Sequence, residues 1–81
     1  MILTGRQIRE GRILADLSQD HLTAAARVAR GLIARLEAVD VMAMARKPDL
    51  AAIRKALEAA GVEFLPENGG GAGVRLRKVE P

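Results

Sequence analysis

Every basic residue before Lys47 is an arginine, and three of them, Arg27, Arg30 and Arg35, fall close together. A guanidinium is a planar fork of N–H donors. It grips phosphate oxygens and the O6/N7 edge of guanine in pairs of hydrogen bonds, which the point charge of lysine does less well. A compositional reading competes with this one, because a GC-rich genome enriches Arg and Ala together. The charge balance leans the same way as the chemistry, though modestly. Residues 1–40 carry six Lys/Arg against five Asp/Glu, residues 41–81 carry seven against five, and the net charge is +3. A polyanion is a plausible partner on these figures, but they do not name it.

Other chemistries find few residues. The chain has no cysteine, so there is no thiolate nucleophile, disulfide or Cys-based zinc site. His21 is the one histidine and cannot build a metal site alone. Ser18 has no base beside it and reads as a helix cap rather than a nucleophile. Gly69-Gly70-Gly71-Ala72-Gly73 lacks the Lys-Ser/Thr and the following helix of a phosphate-binding loop, so it reads as a flexible connection. With one Phe and no Trp or Tyr, stacking on single-stranded nucleic acid has no ring platforms. We therefore expect neither an enzyme nor a metal or cofactor. No apolar run approaches 18 residues, and Met1-Ile2-Leu3-Thr4-Gly5 has no basic start before a long apolar stretch. The expectation is a cytoplasmic, nucleoid-associated protein without a membrane partner.

Length and pattern give the elements that would carry the arginines. Eighty-one residues suit one small domain. Thr4-Gly5-Arg6-Gln7 has the form of a capping box and opens a first helix over about 5–15. Ser18, followed by Gln19-Asp20, caps a short second helix over 19–26. Val28, Leu32 or Ile33, and Leu36 form an apolar stripe that predicts a third helix over 29–38. Residues 39–47 read as irregular, with Met42 and Met44 filling gaps beneath them. Pro48-Asp49 opens a fourth helix with Leu50, Ile53 and Leu57 on one face, stopped by Gly61. Residues 62–65 and 74–79 then alternate apolar and polar, as strands of a hairpin do. The boundaries are a helical domain over 1–61 and a C-terminal β hairpin or arm over 62–81.

Two short helices joined by a tight turn suggest a helix-turn-helix. Residues Leu17 to Asp40 resemble the Xre type, the Cro/cI-like repressor family of bacteria and phages. Ser18-Gln19, Leu22, Val28 and Ile33-Ala34-Arg35-Leu36-Glu37 carry the resemblance, and with the fourth helix it covers roughly 5–60. It implies a mainly α, four-helix, lambda-repressor-like domain that binds double-stranded DNA. Four positions depart from the pattern. Arg27 stands at a turn position usually held by Gly, where a left-handed backbone would cost about 1 kcal/mol. Ala29 replaces a capping Ser/Thr and gives up about 1 kcal/mol. Gly31, read as a helix interior, weakens the third helix by a further ~1 kcal/mol. Thr23 replaces the usual Ala of the second helix.

The resemblance also places candidate contacts. A third helix entering the major groove by its N-terminus would present Ala29, Arg30, Gly31, Leu32, Ala34 and Arg35. Arg30 and Arg35, one turn apart, would each fork onto a guanine, and Leu32 or Ala34 would touch a thymine methyl. Gln19 matches a phosphate-binding glutamine, and Arg27, Arg46 and Lys47 would add phosphate contacts. Arg12 and Glu37 occupy the places of an ion pair between the first and third helices. A catalytic Glu37 is the alternative to that structural pair.

One short helix makes few base contacts, so a homodimer reading half-sites about 34 Å apart is expected. Val74, Leu76 and Phe64 would form an apolar face needing a cover, either the fourth helix or a second subunit joined by strand addition. The function expected is a transcriptional regulator acting at a promoter or operator. The alternative is a protein-interaction module, antiactivator- or antitoxin-like, that binds a partner regulator through a helix-turn-helix without DNA contacts.

Overall fold

α1 (Gly5–Leu14) begins at the capping box: the Thr4 hydroxyl accepts from Gln7 N at 3.1 Å, and Gln7 Oε1 accepts from Thr4 N at 3.0 Å. A computed structural model describes residues 3–39, 46–65 and 73–76 of the chain. Their elements in order are α1, α2 (Gln19–Ala26), α3 (Leu32–Val39), α4 (Lys47–Ala59), β1 (Val62–Leu65) and β2 (Gly73–Leu76). The protein is mainly helical with a small antiparallel hairpin. Met42, Met44, the glycine-rich run 69–72 and strand positions 77–79 lie outside the described residues.

Two helices end in the same way. Asp16 (φ 57°) and Arg27 (φ 56°) both adopt the left-handed conformation. In each case the next residue's N–H reaches back to the last turn, Leu17 N to Arg12 O at 2.9 Å and Val28 N to Thr23 O at 3.3 Å. Both following residues, Leu17 and Val28, then pack against the core, as this kind of helix stop requires. Asp tolerates the left-handed region comparatively well, whereas Arg has no such advantage. Arg27→Gly should therefore stabilise the fold by about 1 kcal/mol, measured as a higher urea midpoint with an unchanged slope.

The third helix differs from the sequence expectation. It starts at Leu32, three residues later than 29–38 proposes. Gly31 is not a helix interior: its φ is +85°, a turn conformation, and a Cβ built there meets nothing within 4 Å. The physical reason lies on both sides. Arg27 reverses the chain and Val28 is held by the core, while Ala29 has no side chain able to cap a helix starting after it. The chain makes one more turn, with Leu32 N bonded to Ala29 O at 3.2 Å, and a residue without a Cβ passes through the positive φ. α4 also starts slightly early: Arg46 is the N-cap and Lys47 the first helical residue, with Pro48 in the first turn where a missing N–H costs nothing.

Ile8 from α1, Leu22 and Ala26 from α2, Leu32, Ile33 and Leu36 from α3, and Ile53 and Leu57 from α4 meet in one core. β1 joins them through Val62 and Phe64. Gly11 lies at the close approach of α1 and β1: a Cβ there would lie 3.3 Å from Val62 Cγ1, so a larger residue would require Val62 to give way by a few tenths of an ångström. Cutting the chain after Gly61 thus removes core side chains as well as the hairpin. Hairpin register pairs Val62 with Leu76, Glu63 with Arg75, Phe64 with Val74, and Leu65 with Gly73. Val62, Phe64, Val74 and Leu76 share the inward face, while Arg75 and Glu63 pair at 3.3 Å on the outer one. The cover over the strands is therefore partly intramolecular, since β1 is buried but Leu76 remains 47% exposed.

Candidate nucleic-acid interface

The α2–α3 connection carries the arginines, and a three-helix clamp behind it holds it in place. Glu37, on α3, is 6% exposed. Its carboxylate accepts from Arg12 Nε and from the second guanidinium nitrogen, both at 2.9 Å. Gln19 Nε2, at the start of α2, donates to the same carboxylate at 3.2 Å. Arg12 also donates to the Leu17 carbonyl at 3.0 Å, between α1 and α2. One carboxylate thus ties α1, α2 and α3. The hydrogen bonds from Arg12 to Glu37 raise the Arg12 pKa above its ordinary value, against the desolvation that lowers it. Thr23 turns its hydroxyl onto Gln19 O at 2.8 Å, so its polar group is satisfied within α2.

In front of the clamp, Arg27, Ala29, Arg30, Gly31, Ala34 and Arg35 are all exposed. Arg6, Arg12, Arg46, Arg54 and Arg75 each hold a carboxylate. Arg27, Arg30 and Arg35 hold none among the described residues, and neither does Arg9, which stands apart from them on α1. The exposed residues between them, Ala29, Gly31 and Ala34, are small, so a polyanion meets no bulky side chain there. Arg35 N bonds to Gly31 O at 3.1 Å, within the first turn of α3.

The expected contacts are only partly gathered. Arg30 does not lie on α3 but in the turn before it, so Arg30 and Arg35 are not one helical turn apart on a shared helix. Leu32 is a core residue and cannot reach a thymine methyl, which leaves Ala34 in that position. Gln19 donates inward to Glu37 rather than outward, a pairing across 18 residues that local spacing does not reveal. Arg46 and Lys47 are exposed at the start of α4, and Arg46 lies 3.4 Å from Asp49. His21 is exposed, and among the described residues no group of three His, Cys, Asp or Glu could hold a metal ion. No helix among the described residues is long and apolar enough to cross a membrane.

No protein-family model matches the chain, and no curated protein sequence matches it.

Proposed function

We propose that the chain is a sequence-specific double-stranded-DNA-binding transcriptional regulator, a lambda-repressor-like helix-turn-helix formed by α2 and α3, acting as a homodimer at a promoter or operator. The observation that carries this reading is the cluster of three carboxylate-free arginines, Arg27 and Arg30 in the exposed α2–α3 connection and Arg35 in the first turn of α3, on helices locked from behind by Arg12 and Glu37. Leaving three guanidinium groups unpaired within nine residues serves a polyanion, because phosphate contact releases counterions in proportion to the charges engaged. The sequence resemblance to the Xre family supports the same reading. Such a protein works in the cytoplasm, on the nucleoid.

The test is an electrophoretic shift with pooled random duplexes at low salt, followed by selection of bound sequences. We expect binding that weakens steeply with salt and an enriched, two-fold-related motif. Arg27→Gly should separate two roles: fold stability rises, while affinity falls for all sequences alike, because a phosphate contact is lost without a base contact.

A second reading has its own support. The late start of α3 leaves Ala34, Arg35 and Ala38 exposed on it, with Arg35 the one charged group among them. A surface so poor in base-reading groups suits a protein-interaction module that binds a partner regulator. Absence of any shift at low salt would favour this second reading.

A further inference from the structure

Apolar surface that a small monomer leaves uncovered collects along α1 and β2. Ile13 is 59% exposed and Leu14 is 40% exposed, both on the outer side of α1. Leu76 on β2 is 47% exposed. A groove of about 310 Å³ lies between these two elements, lined by Glu10, Ile13, Leu14 and Val74. Among the described residues the sheet has only two strands, so the outer edge of β2 has no strand partner. A bare strand edge beside an apolar groove is a site for strand addition: the backbone of an incoming strand pairs with the edge while its alternate side chains fill the groove.

We propose that the occupant is β2 of a second copy, added antiparallel across a two-fold axis to give one four-stranded sheet over both α1 helices. This deepens the homodimer part of the functional reading and rests on it. Antiparallel pairing places like faces opposite, so Val74 and Leu76 must meet inward-facing residues of the second copy. Centring the axis on Arg75 achieves this, with Val74 opposite Leu76 twice. Its cost is one Arg75–Arg75 contact on the solvent face. That contact is softened because each Arg75 already lies 3.3 Å from its own Glu63. Two apolar cross-strand pairs outweigh one exposed and partly neutralised like-charge pair, since each is of order 0.2–1 kcal/mol. Centring on Val74 would avoid the charges but leave Leu76 without an apolar partner in the described strand. Beneath the seam, Ile13 and Leu14 of the two copies then face one another.

The area suits a weak dimer. The exposed parts of Ile13, Leu14 and Leu76, doubled by symmetry, amount to on the order of 500 Å², and the paired edges bring the total to about 1,000 Å², at the low end of specific interfaces. Arg75 at the seam acts as the charged edge residue that keeps such pairing reversible.

Sedimentation equilibrium of the full chain without DNA tests this. We expect reversible dimerisation at high micromolar concentration. Ile13→Lys and Leu76→Lys should each weaken association at least about tenfold, because an isologous interface contains each substitution twice. Circular dichroism should be unchanged, both positions being surface ones. Arg75→Thr should tighten the dimer. The chain's lack of cysteine allows a direct check of register. Opposite residues of an antiparallel pair have Cα atoms about 4.5–5.5 Å apart, within disulfide reach. Arg75→Cys should therefore cross-link copies under mild oxidation. Glu63→Cys, on the same face but three strand spacings (about 14 Å) from its mate, should not. A chain that stays monomeric at all concentrations, a dimer insensitive to Ile13→Lys and Leu76→Lys, or equal cross-linking at 63 and 75 would overturn the proposal. DNA binding is read separately by the shift assay, so a dimer without DNA affinity sinks the regulator reading alone, and DNA affinity without a free dimer sinks this one alone.

Discussion

Glu37→Ala should destabilise the fold by about 3–5 kcal/mol, the cost of leaving a mostly buried partner charge uncompensated. Arg12 would keep only the Leu17 carbonyl, and Gln19 Nε2 would lose its acceptor. For 81 residues the usual per-residue figure gives a total of about 4–12 kcal/mol, so the variant gives up about a quarter of its stability or more. Urea unfolding reads the loss directly. A double-mutant cycle with Arg12→Ala then separates the pair from packing, and a coupling below about 0.5 kcal/mol would reduce the two to ordinary solvated side chains. Glu37→Gln is the informative intermediate, since it keeps an acceptor for Arg12 and the shape of the site but not the charge. The pair adds no pH dependence from the arginine side in the ordinary range. A base whose folded pKa is raised contributes its stability below the unfolded value and loses it only as pH rises through the folded one, and Glu37 raises the already strongly basic Arg12 further.

The clamp also shows which features the sequence reveals and which it hides. Thr4-Gly5-Arg6-Gln7 announces α1 because a capping box is made within four residues, and Leu50, Ile53 and Leu57 announce α4 because one face of a helix repeats locally. The Arg12–Glu37 pair spans 25 residues and came into view through family resemblance, not spacing. That same resemblance directs Gln19 outward, whereas its inward bond to Glu37 depends on where α3 delivers the carboxylate. The start of α3 at Leu32 is hidden from the sequence for a related reason. Val28-Ala29-Arg30-Gly31 contains no capping side chain to mark a boundary. What decides it is the left-handed Arg27 followed by burial of Val28, a constraint set by tertiary packing. Ile13 and Leu14 fall inside the first helix, and only the position of β2 turns them into the wall of a groove.

Replacing Arg30 and Arg35 together should lower affinity for a selected duplex by about 2–6 kcal/mol, at roughly 1–3 kcal/mol per arginine if the two act independently. On the proposed docking, that loss divides between different kinds of contact. Arg35 stands in the first turn of α3, on the element that would enter the major groove, and its fork can meet a guanine edge. Arg30 stands in the turn before the helix, where a docked duplex presents its backbone. Arg35→Ala should therefore relax base preference at one position of the selected motif. Arg30→Ala should weaken all duplexes alike and flatten the salt dependence by about one unit of slope. Competition binding of each variant against the selected and scrambled duplexes, at two salt concentrations, distinguishes the outcomes. If Arg30→Ala shifts base preference while Arg35→Ala does not, the docking geometry is reversed. If both variants keep full affinity, these arginines do not touch DNA. The exposed, small-residue surface around Ala34 and Ala38 then belongs to a protein partner, as the second reading requires.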